Sequence, residues 1–79
     1  MMIHMEHELR RATIAAVVRG EVAAQNAKRK TLAEAAGLSP AALRTRLKGE
    51  QPFYVDEFVA ICHALNVPVA EMLDRAGIK

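Results

Sequence analysis

LAEAAGLSPAALRTRLKG, residues Leu32 to Gly49, carries the local signals of two short helices joined by a tight turn. Leu32 and Ala33 open the first helix within this run, and Ala36 and Gly37 close it. A residue as small as Ala33 lets two turn-linked helices cross closely, and Gly37 is free to take the left-handed conformation that ends a helix sharply. Ser39 is placed to cap the next helix by accepting a backbone N–H bond, and Pro40 suits the first helical position, where no donor is needed. Leu43 and Leu47 are four residues apart and point to the core, whereas Pro40, Ala41, Arg44, Thr45 and Lys48 share the solvent-facing side. Gly49 then stops the helix. An outward basic face on the second of two turn-linked helices has the shape and charge to enter a groove of duplex DNA.

Working outward, the apolar spacing predicts three more helices. The first begins near Met5 or Glu6 and runs to about Asn26, uninterrupted by Pro and weakened only at Gly20. Its stripe of Ile14, Val18 and Val22 is expected to pack on the helix pair, leaving Leu9, Ala12 and Ala16 as a second stripe beyond it. After Gly49, Glu50-Gln51-Pro52 reads as a loop and Phe53 as a plug of the core. A fourth helix starts at Tyr54 or Val55, with Asp56 and Glu57 in the first turn, where the helix dipole favours negative charge. Phe58, Ile61, Cys62 and Leu65 form its buried stripe, and Asn66 ends it. Pro68 begins a short fifth helix whose Val69, Met72 and Leu73 face inward, with Gly77 marking its end.

With these helices in this order, the chain resembles the lambda-repressor and Cro-like (xenobiotic-response-element type) helix-turn-helix family. The likeness rests on the Leu32–Gly49 motif and on EQPFYVDEFVAICHALNVPVAEML, which is similar to the family's fourth and fifth helices, and it covers about residues 14 to 73. It implies an all-α, compact five-helix lambda-repressor-like domain with an extended first helix. Residues 1–13 are then an N-terminal helical extension, 14–73 the helix-turn-helix domain with its motif at 29–48, and 74–79 a short tail. It also implies sequence-specific binding of double-stranded DNA by a small repressor-like or Cro-like regulator that occupies an operator, with no catalytic role and no cofactor.

On that reading Arg44 is the foremost base-reading residue, its guanidinium suited to pair with guanine O6 and N7. Thr45 is suited to bond a base or touch a thymine methyl, and Ala41 and Pro40 stand at the tip of the helix. Phosphate contacts fall to Lys28, Arg29, Lys30, Thr31, Ser39, Arg46, Lys48 and Gln51. In the family, the start of the first motif helix and the loop after the second approach the DNA backbone, which matches Arg29, Thr31, Lys48 and Gln51. Capping of the first motif helix explains Thr31 equally well. Two features depart from the family. Pro40 and Ala41 stand where many relatives carry hydrogen-bonding side chains, which makes base reading sparse and gives DNA shape more weight. Leu47 and Val22 stand where many relatives pair a glutamate with an arginine, so an apolar pair replaces an ion pair.

Charge distribution agrees. The net charge is +2, but residues 28–49 hold six basic groups and one acidic, whereas residues 50–79 hold two basic and five acidic. A positive middle segment beside an acidic end is the footprint of phosphate binding on one face. No apolar run is long enough to span a membrane, and MMIHMEHE lacks the layout of a signal peptide, so a cytoplasmic protein of a bacterial cell or phage-infected host is expected, with no membrane partner. His4, His7 and Glu8 share a helix face but lack further ligands for a metal, and the single Cys62 reads as a small buried hydrophobe. Nothing resembles a nucleophile–base pair or a phosphate-cradling Gly loop, a chain of this length has little room for a deep pocket, and no small-molecule ligand is evident. The resemblance suggests a homodimer on DNA, with half-sites about 34 Å apart. The extended first helix and the C-terminal end around Met72, Asp74 and Ile78 are the available surfaces. A competing reading is an antitoxin-like protein-interaction module, disfavoured because only a few residues follow Leu73.

Overall fold

The computed structural model describes residues 2–78, with side chains from Arg10 onward. Five helices follow one another: α1 (Met2–Gln25), α2 (Arg29–Ala36), α3 (Pro40–Leu47), α4 (Val55–Leu65) and α5 (Val69–Arg75). The first helix starts earlier than the Met5 or Glu6 expected from the sequence, because nothing in MIHM breaks a helix. Residues 2–13 are thus the first half of one continuous α1. The side chains of Leu9, His4, His7 and Glu8 lie outside the described residues.

One local device repeats at every helix end. Asn26, Gly37, Gly49, Asn66 and Gly77 have φ of 53°, 69°, 81°, 61° and 76°, and each lies just past a helix. The residue after each turns back to donate its N–H to a carbonyl five residues earlier: Ala27 to Val22, Leu38 to Ala33, Glu50 to Thr45, Val67 to Cys62 and Ile78 to Leu73. These bonds satisfy carbonyls that a helix end would otherwise leave open, and they reverse the chain within two residues. Asn and Gly tolerate the left-handed conformation best, which is why the boundaries were readable.

The reversals fold all five helices around one core. Val18 and Val22 from α1, Leu32 and Ala33 from α2, Leu43 and Leu47 from α3, and Phe58, Ile61, Cys62 and Leu65 from α4 are buried there with Val67 and Met72. Ile14, Phe53, Val69 and Leu73 pack against its edge. Ala12 and Ala16 of the second α1 stripe remain exposed. Val22 and Leu47 share the core as the apolar pair foreseen from the sequence. Burial pushes the Cys62 thiol up, away from the reactive thiolate.

Polar ties from α1 hold the other helices. Arg19 Nη1 donates to the Leu47 carbonyl at the end of α3, placing a cation where the helix dipole is negative. Gln25 Nε2 donates to the Leu65 carbonyl at the end of α4 (2.6 Å) and to Glu21, and Glu21 in turn accepts from Arg75 of α5 (2.6 Å). Gly49 lies against α1, and a methyl group there would meet Ala12 Cα at 3.4 Å and Ala15 Cβ at 3.7 Å. A single glycine therefore serves both the left-handed turn and the close approach.

The tie between α3 and α4 was not foreseen. Arg46 Nε donates to Glu57 Oε1 (2.8 Å) and Nη2 to Oε2 (3.4 Å), with the two side chains 13% and 11% exposed. Arg46 also donates to the Ala42 carbonyl and lies 5.9 Å from the centre of the Tyr54 ring. Glu57 Oε1 accepts from the Tyr54 backbone N–H at 3.0 Å, so the carboxylate caps α4 while it holds α3.

An open groove of about 650 Å³ lies where Arg10, Arg11 and Ile14 of α1 overhang α4 and α5. No helix among the described residues is long and apolar enough to cross a membrane.

Urea or thermal denaturation checks these contacts. Gly49→Ala is expected to destabilise by about 1–3 kcal/mol, from left-handed strain and crowding against Ala12. Gly20→Ala, in open space on α1, is expected to stabilise by about 0.5–1 kcal/mol. Glu57→Gln is expected to cost about 1–3 kcal/mol, a figure moderated by the pair's partial exposure, and Arg46→Met with Glu57→Leu together to cost less than Glu57→Gln alone. Hydrogen bonds from Arg75 and then Gln25 hold the Glu21 carboxyl below its usual 4.5. That contribution is present above about pH 4.5 and is lost as pH falls through the lowered value, so Glu21→Gln is expected to flatten the acid limb of the stability curve.

Candidate nucleic-acid interface

The second helix of the pair, α3, is built to present one face. Ser39 Oγ accepts from the Ala42 N–H at 3.1 Å, and Pro40 occupies the first turn. Leu43 and Leu47 are each 1% exposed, so the helix cannot rotate without bringing them into water. The opposite side then shows Pro40, Ala41, Arg44 and Lys48, all exposed, with Thr45 half-buried between them. Thr45 Oγ1 donates to the Ala42 carbonyl at 2.8 Å, which uses its hydrogen. Ser39 keeps its hydroxyl hydrogen for an anion while its oxygen caps α3.

The start of α2 is the electrostatic counterpart. Lys28 sits at the N-cap, Arg29, Lys30 and Thr31 form the first turn, and all four are exposed. No side chain caps this end and no acidic residue lies in its first turn. Thr31 is inside the helix rather than at the cap, because α2 already begins at Arg29, so the capping explanation for Thr31 does not hold. Three cations gathered where the helix dipole is also positive repel one another, and the N–H groups there lack a side-chain acceptor. An anion relieves both. The contrast with α4 is instructive, since Asp56 and Glu57 fill its first turn and its dipole is satisfied internally.

Arg46 stands apart from the other candidate residues. Leu43 and Leu47 point inward, Ala41, Thr45 and Lys48 outward, and the 100° step per residue puts Arg44 and Arg46 on opposite flanks. The structure places Arg44 in solvent and Arg46 against Glu57. Arg46 is thus paired with an acid inside the chain and is 13% exposed, which sets it apart from the exposed cations expected to meet phosphates. Lys48 caps α3 from an exposed position, and Gln51 is exposed in the loop that follows, its N–H bonded to the Thr45 carbonyl.

Sequence reasoning missed the residues that aim this surface: Arg19, which holds the end of α3, and Glu57, which holds its flank. The acidic residue three positions into α4 was a signal for Glu57, but Tyr54 is not a side chain that announces a cap. Among the described residues no cluster of His, Cys, Asp and Glu is placed to hold a metal ion.

Over residues 19–76, more than half of its length, the sequence matches the Cro/C1-type HTH DNA-binding domain family. Crystal structures of the clp gene regulator ClgR from Corynebacterium glutamicum are similar to it. One superposes with a TM-score of 0.78 at 29% identity, covering 86% of this chain and 88% of that chain. Another gives 0.80 at 29% identity, covering 86% of this chain and 72% of that chain. Curated proteins give no match. The two turn-linked helices, the buried Leu43 and Leu47, the uncapped basic start of α2 and the match from the last part of α1 through α5 agree: this chain belongs to the Cro/C1-type helix-turn-helix DNA-binding domain family.

Proposed function

We propose that the chain is a sequence-specific transcriptional regulator that lays α3 in the major groove of an operator and represses by occupying it. The observation that carries this reading is the start of α2, where Lys28, Arg29 and Lys30 surround backbone N–H groups that no side chain caps. A DNA phosphate satisfies both the charge and the donors. ClgR is a regulator of clp genes, and its likeness to this chain supports a regulatory role.

In this assignment Arg44 reads a guanine through paired hydrogen bonds, and Thr45 and Ala41 contact a base edge or a thymine methyl. Pro40 makes only shape contacts. Lys28, Arg29, Lys30, Thr31, Ser39, Lys48 and Gln51 hold the backbone, and Arg46 positions α3 from the side. Few side chains reach bases, so the deformability of the operator supplies part of the selectivity. Two copies on half-sites about 34 Å apart double the contact and square the discrimination.

Titration of the chain with a duplex chosen from a random pool tests the assignment. Log affinity is expected to fall with log salt at a slope of about −4 per chain, for four phosphate-bound cations. Arg44→Ala is expected to cost about 1–3 kcal/mol and relax selectivity at one base pair, whereas Arg29→Ala weakens all sequences alike and reduces the slope by about 1. Arg46→Met with Glu57→Leu is expected to leave the slope unchanged. Binding indifferent to salt, or unaltered by Arg44→Ala together with Lys48→Ala, contradicts the proposal.

A further inference from the structure

The groove beneath α1 takes no part in DNA binding as assigned above. Its walls come from three places: Ile14 on α1, Phe53 and Val59 around the start of α4, and Leu73 on α5. Val55 forms the lip and is 79% exposed. Among the described residues, the charged ones that line it are Arg10 and Arg11, and none of them is acidic. This polarity runs against the surroundings, because residues 50–79 are net acidic.

A concavity of about 650 Å³ falls within the range of small-molecule sites, and a mostly apolar lining with one charged end is their usual chemistry. The apolar walls suit a hydrocarbon chain. A guanidinium at one end suits a carboxylate, which it engages through charge-assisted paired hydrogen bonds. A second copy fits less well. A second copy inserting an apolar side chain would make no use of the Arg10 guanidinium, whereas an amphiphilic carboxylate engages both the apolar walls and the cation.

We propose that this groove is a binding site for an amphiphilic carboxylate of the fatty-acid type, with the chain lying along Ile14, Phe53, Val59 and Leu73 and the carboxylate at Arg10. Phe53 belongs to the segment that leaves α3 and Val55 opens α4, so an occupant bears on the same connection that carries Gln51. The site itself stands whether or not α3 reads bases as assigned.

The test is titration of the isotopically labelled full chain, followed by amide chemical shifts, with sodium decanoate below its micelle-forming concentration. Decanol and decyltrimethylammonium serve as controls of equal chain length. Saturable shifts confined to Ile14, Phe53, Val55, Val59, Leu73 and their neighbours are expected, with decanoate bound at least about tenfold tighter than the cation. Arg10→Glu, a surface change that leaves the fold intact by circular dichroism, is expected to weaken decanoate about fivefold or more and decanol about twofold or less. Val55→Asp at the lip, where the start of α4 tolerates an acid, is expected to weaken decanoate similarly. Scattered or non-saturating shifts, or equal binding of all three amphiphiles, overturn the proposal. So does movement of the same amides with protein concentration alone, accompanied by a doubled mass in sedimentation, since a second copy then fills the groove.

Discussion

Burial of Leu43 and Leu47 is the constraint on which the rest depends. An isolated helix of eight residues has no stability of its own in water, so α3 exists because its inner face is in the core. Those two side chains contribute about 1.5–3 kcal/mol each, and they also fix rotation: with both at 1% exposure, only one face is left to a partner. Arg19 at the Leu47 carbonyl, Gly49 against Ala12 and Ala15, and Glu57 on Arg46 each act on the same helix, at its end, its exit and its flank. The exposed face of α3 is thereby aimed by residues that lie outside that face.

The electrostatic layout follows the same division. Where the fold supplies an anion, as Glu57 does for Arg46, the cation becomes a structural part. Where it supplies none, as at Lys28, Arg29 and Lys30, the charge is left for a partner. Counting basic residues in the middle segment treats these alike, and only their surroundings separate them. The net +5 of residues 28–49 thus counts one cation, Arg46, whose partner acid, Glu57, lies outside that segment.

Much of the fold was legible because it is written in short-range chemistry. Asn26, Gly37, Gly49, Asn66 and Gly77 end helices by a backbone preference that depends on the residue itself, and the spacing of Leu43 with Leu47, or Phe58 with Ile61, Cys62 and Leu65, names a buried face without a structure. What escaped was long-range or shared between elements. Arg46 and Glu57 lie eleven positions apart and meet only because α3 and α4 pack together. Arg19 and Leu47 are twenty-eight apart. The groove has walls from three helices, so no window of sequence contains it. Thr31 was ambiguous between cap and contact until the start of α2 at Arg29 decided against the cap. For the interface, the exposed face of α3 could be read from periodicity. Which bases its side chains meet depends on a second molecule.

The most direct test of the account is methylation protection of a bound duplex, because it reports which groove the protein occupies without presuming which side chain reads what. Guanine N7, on the major-groove edge, is expected to be protected within two short patches about one helical turn apart, and adenine N3 in the minor groove of the same base pairs to remain reactive. Arg44→Ala is expected to restore reactivity at one guanine in each patch. Protection confined to the minor groove, or none with the duplex saturated, would contradict the claim that the buried pair Leu43 and Leu47 turns α3 toward the major groove.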